Sequence, residues 1–119
     1  MEWNKVFSVF FILMALTTLV GYIVDQDVYA LVIGISMNLV ATTIKLGSRT
    51  TLGNELLAAS LVADLHLLPA AMIHFLAPER EMLAIAMVMG AVVANVISVI
   101  LVICETVLDT VKQQKKTYW

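Results

Sequence analysis

Charge is what this sequence has least of. Asp, Glu, Lys and Arg make up 13% of its 119 residues, while 61% are hydrophobic. Soluble domains are typically about a quarter charged and half apolar, so the composition excludes an ordinary soluble domain. The single cysteine, Cys104, excludes an internal disulfide and a cysteine-based zinc site. Cys104 lies in an apolar run and reads as a packing residue, because a free thiol behaves as a small hydrophobe. No basic patch is large enough for nucleic acid, and the formal charge is only −2. A nucleophile elbow, a phosphate-binding Gly-rich loop and paired histidines at helical ligand spacing are all missing. Neither enzymatic activity nor a bound cofactor or metal is therefore expected.

What is present is apolar sequence in spanning lengths, with a mean hydropathy of +0.97. Polar punctuation divides it into four helices, at about 6–24, 28–46, 55–77 and 82–104. Each is close to the roughly 20 residues that cross a hydrocarbon core. Helix is the expected form, since open strands leave backbone groups unsatisfied in lipid. The first stretch lacks an A-x-A cleavage site and reads as a retained helix. Gly47 is placed to cap the second helix, and the fourth is expected to continue as a cytoplasmic extension and basic tail, 105–119. In that extension Glu105, Asp109 and Lys112 have the spacing of solvated helix-surface charges. The whole chain is then one domain.

Lys5, Lys45, Arg49, Lys112, Lys115 and Lys116 fall on one side of this arrangement. Arg80 falls on the other, with Asp25, Asp27, Glu79 and Glu81. The positive-inside rule predicts two helical hairpins with both termini cytoplasmic. Trp3, Tyr22, Tyr29, Tyr118 and Trp119 lie near helix ends, as interfacial aromatic belts do. Phe7, Phe10, Phe11 and the methionines read as lipid-facing or packing side chains. Arg49, in the connection 47–54, is a weak candidate for holding an anion at the start of the third helix.

Two ladders of small or polar residues four apart suit close helix approach: Ala30, Gly34, Asn38 and Thr42 in the second helix, and Ala86, Gly90, Ala94 and Ser98 in the fourth. They fit packing within the bundle first, and a homo-oligomer interface as the alternative. The third stretch carries the chemistry. Asp64, His66 and Pro69 interrupt its middle, and a charge against lipid costs about 2.5–3.5 kcal/mol on insertion scales. Helical rise puts Asn38, Asp64 and Asn95 at nearly one depth, roughly 12–13 Å from the cytoplasmic ends. Asp64 should therefore face Asn38 or Asn95. Two positions on a helix lie about 200° apart, so Asp64 and His66 cannot share a partner. Pro69 has no N–H for the Leu65 carbonyl, which leaves that oxygen free beside Asp64. These groups fit an oxygen-lined site for a proton or monovalent cation, with His66 and His74 extending a proton route. They fit as well a set of hydrogen bonds holding helices together.

The run NLVATTIKLGSRTTLGNELLAASLVADLHLLPA, Asn38 to Ala70, is similar to a family of small bacterial inner-membrane proteins of unknown function. The resemblance implies a bacterial inner-membrane location and brings no activity or site residues. Size and span count resemble the small multidrug resistance transporters too, but that family relies on a glutamate in its first helix, and 6–24 has none. The expected role is an accessory or structural subunit of a membrane ion-transport assembly, working with a larger transport protein. The alternative is a self-contained oligomeric transporter or channel centred on Asp64.

Overall fold

A computed structural model describes residues 3–47 and 52–118, with the side chains of Asn4 and of residues 116–118 left aside. Four helices account for nearly all of them: α1 (Trp3–Asp25), α2 (Val28–Leu46), α3 (Gly53–Leu76) and α4 (Glu81–Tyr118), with one 3-10 turn at Pro78–Arg80. All four are long and apolar enough to cross a membrane, and the protein is accordingly a membrane protein. The belt positions expected of the Tyr118 and Trp119 side chains and the anion contact expected of Arg49 lie outside what is described.

The turns follow from local chemistry. Between α1 and α2, Gln26 adopts a left-handed backbone, φ 58°, and its N–H returns to the Tyr22 carbonyl at 2.6 Å. Asp27 then caps α2, its carboxylate accepting from the Tyr29 N–H at 3.0 Å. Gly47 ends α2 where expected, but in a right-handed conformation, φ −87°. Its N–H closes on the Ile44 carbonyl at 3.2 Å, a tight last turn in place of a left-handed glycine cap. Pro78 follows the end of α3 and opens the short turn into α4. Within α3, helix continues across Pro69.

The helices form a ring in which α1 packs chiefly on α2, α3 chiefly on α4, and the ring closes through α1–α4 and α2–α3. The pairs α1–α3 and α2–α4 are diagonals. The bundle and the protruding end of α4 together extend 62 Å by about 20 Å across. Residues facing the axis recur at alternating steps of three and four: Ser8, Ile12, Ala15, Leu19 and Tyr22 in α1; Leu31, Gly34, Asn38, Ala41 and Lys45 in α2; Leu56, Ser60, Ala63, Leu67 and Ala70 in α3; Ala84, Val88, Ala91, Asn95 and Ser98 in α4, with Glu105 one heptad on. This is the spacing of a left-handed bundle. The sequence hides it because two thirds of the buried positions are small or polar while most exposed ones are apolar, which blurs the contrast that marks the faces of a soluble bundle.

Several expectations are corrected here. Tyr22 is fully buried instead of joining an interfacial belt, whereas Trp3 and Tyr29 are exposed. Cys104 is on the surface and packs no core. Of the α4 ladder, Ala94 and Ser98 are buried and Gly90 half-buried, while Ala86 faces outward. The axis-facing row at 84, 88 and 91 takes that place. Glu105, expected on a solvated extension, is only 1% exposed.

Candidate functional site: a buried row of polar and charged side chains

One end of the bundle carries Lys5, Leu52 and Glu105; the other carries the two short turns. From the first end a polar row runs inward along the axis. At its start Glu105 reaches two other helices, with Lys5 Nζ 3.6 Å from Oε1 and the Leu52 N–H donating to Oε2 at 3.0 Å. Leu52 precedes α3 and has no side-chain cap of its own. Glu105 thus supplies from α4 the carboxylate that the positive end of α3 favours, and ties α1, α3 and α4 together.

Lys45 comes next, only 6% exposed. Its Nζ donates to Ser60 Oγ at 2.5 Å, to the Leu56 carbonyl at 3.4 Å and to Ser98 Oγ at 3.4 Å. A lysine this near a helix end would ordinarily run outward to water. The direction of α2 prevents it. Side chains lean toward their own helix N-terminus, and the N-terminus of α2 lies at the opposite end of the bundle, so Lys45 is aimed inward. In α3 the polarity is reversed, and Asp64 leans toward Lys45.

Asp64, 8% exposed, completes the row. Asn38 Nδ2 donates to its Oδ1 at 2.5 Å. The Thr42 hydroxyl, 2.8 Å from Oδ2 and 3.0 Å from the Asn38 carbonyl, faces both acceptors. Asp64 thus meets Asn38 as the depth argument anticipates. Asn95 departs from it: the residue is 1% exposed, and neither its amide nitrogen nor its oxygen has a hydrogen-bond partner. Asp64 lies on the α2 side of the α3 seam and is already occupied there.

His66 is turned away from Asp64, toward α4. Its Nδ1–H donates to the Val62 carbonyl at 2.8 Å, and the ring rests on Gly90, where an added Cβ would come within 2.6 Å of Cδ2. His74 lies elsewhere, sharing a 3.1 Å hydrogen bond through Nδ1 with the Tyr22 hydroxyl across the α1–α3 diagonal. The two imidazoles thus have separate partners and form no relay with each other. The Leu65 side chain points outward at 68% exposure. Pro69, four residues on, has no N–H to give its carbonyl. Asp64 does not depend on that carbonyl, since both its oxygens take donors from α2.

Lys45, Thr42, Ser60, Ser98 and Glu105 are the members of this site that a search for charges near the midplane passes over. A signal existed. Asn38 to Lys45 is seven residues, and so is Ser98 to Glu105, so each charge at a span end continues the axis-facing row of its helix. Among the described residues, no cluster of three or more His, Cys, Asp or Glu has the arrangement of a metal site.

A family of unknown function, DUF6394, has a model that matches residues 25–106. That range takes in all of the polar row except Lys5. No curated protein and no solved structure matches the chain.

Proposed function

The chain belongs to that family, and from this premise we propose that it is an accessory or structural subunit of a membrane ion-transport assembly, without catalytic activity of its own. The observation that carries the reading is that the buried charges of the row already meet partners within the protein. Both Asp64 oxygens take a donor, and the three N–H bonds of the Lys45 ammonium have three oxygens to meet. A free cation arriving at Asp64 would have to displace Asn38 and Thr42 and sit near a fixed positive charge. Such a core is suited to holding four helices in register.

In this proposal the helices form two hairpins in a bacterial inner membrane, with both termini cytoplasmic. The clustering of Lys5, Lys112 and Lys115 at one end of the chain's layout supports the orientation. A periplasm-dependent reporter fused after Trp119 should stay inactive; activity there would reverse the topology. The larger transport protein served by the subunit would contact the lipid-facing surface.

The alternative, a self-contained oligomeric proton- or cation-coupled transporter, draws on the same fact that ionisable groups sit at membrane depth, where they often mark ion pathways. Purified protein in liposomes separates the two. Wild type is expected to give no H⁺, Na⁺ or K⁺ flux above empty vesicles. A flux that Asp64→Asn abolishes would establish the transporter and overturn the subunit.

A further inference from the structure

We propose that the core contains a monovalent-cation site whose resident occupant is the protein's own Lys45 ammonium. The inference rests on reading the polar row as a fixed scaffold, and says what kind of site that scaffold encloses.

The oxygens around Lys45 Nζ come from two helices and are all neutral: the Leu56 carbonyl and Ser60 hydroxyl from α3, and the Ser98 hydroxyl from α4. Carbonyl and hydroxyl oxygens converging from separate helices are the ligand set that membrane proteins use for alkali cations stripped of water. The compensating charge lies one layer away, since Asp64 stands one helical turn beyond Ser60 on the same buried face of α3. A site with neutral ligands and one nearby carboxylate is matched to a single positive charge. The Asn95 amide, one helical turn from Ser98 on the same seam, is buried with its oxygen unpartnered.

The lysine carbon chain enters from α2, which contributes none of the three oxygens. Cage and cation therefore belong to different helices. Removing the side chain beyond Cβ leaves the α3 and α4 oxygens in place, with Asp64 uncompensated. A free ammonium ion has the occupant's own chemistry, and K⁺ is close to it in size.

The test is chemical rescue of Lys45→Ala. Detergent-purified wild type and variant are melted in chloride salts of ammonium, methylammonium, K⁺ and tetramethylammonium at equal ionic strength. The variant should gain a saturable rise in Tm of about 5 °C with ammonium, methylammonium or K⁺. Tetramethylammonium, which has no N–H and is too large, should give none, and wild type should be indifferent to all four. A folded variant that ignores every salt, or responds equally to tetramethylammonium, overturns the proposal. If Lys45→Ala cannot be purified, Lys45→Met, Asp64→Asn and the double variant decide. A double variant that melts above both single variants, or is recovered where Lys45→Met is not, supports a cation–carboxylate unit. Additive losses, or a double variant that also fails to fold, overturn it. Liposome flux is read on wild type alone, so its outcome bears on the subunit reading and leaves the rescue result separate.

Discussion

The two halves of this bundle follow one packing rule with different materials. Toward the turns, the axis is lined by Leu19, Leu31, Leu67 and Val88, with Tyr22 reaching across to His74. Toward the opposite end it is lined by Asn38, Thr42, Lys45, Ser60, Asp64, Ser98 and Glu105. In lipid the first half gains little from being apolar, because the surroundings are apolar too; it is held by close fit. The second half is held by hydrogen bonds and matched charge, which lipid offers no means of replacing. The difference teaches where each half is vulnerable: the turn half to changes of volume, the polar half to changes of charge.

The largest effect should come from Asp64→Leu, which leaves Lys45 buried without its carboxylate. A loss of about 3–5 kcal/mol is expected in denaturant unfolding of the detergent-solubilised protein. A loss below about 1 kcal/mol would mean that the two charges are not coupled. Next is Gly90→Ala, whose methyl would overlap the His66 ring; overpacking of this kind costs about 1–3 kcal/mol. Ala86→Val, on the outer face of the same helix, should be neutral, and equal losses at both sites would refute the assigned face. Glu105→Gln removes the charge that faces Lys5 but keeps an oxygen for the Leu52 N–H. A fall of about 1 kcal/mol is expected, and added salt should narrow the gap between variant and wild type. Asn95→Leu runs the other way. Replacing an unpartnered buried amide by an apolar group should be neutral or stabilising by about 1 kcal/mol, and a drop of 2 kcal/mol or more would show that the amide is engaged in the membrane.

Sequence alone reached the helices and one contact of the site. The spans are legible because apolar runs and charged breaks are sharp at this composition. Asn38 and Asp64 stand out because polar groups at mid-span are costly against lipid and must therefore face protein. Depth, however, fixes a layer and not a direction around the helix. Asn95 shares the layer of Asp64, yet Asp64 turns to α2, and only the ring order of the helices decides this. Lys45 and Glu105 escaped for another reason: charges at span ends ordinarily reach water. Side-chain lean sends Lys45 inward, and the spacing of seven from Ser98 puts Glu105 on the axis.

The inward aim of Lys45 bears finally on how the protein is made. The chain emerges in order, and α2 is complete before Ser60 or Ser98 has been synthesised. During that interval the ammonium has neither hydroxyl to meet, and the lowest-energy place for it is the bilayer surface. Burial of the ammonium therefore has to wait for α3 and α4, which carry every oxygen it meets. A chain cut short before Ser98 should leave the ammonium with the α3 oxygens alone, so that the last helix completes the surroundings of a residue on the second.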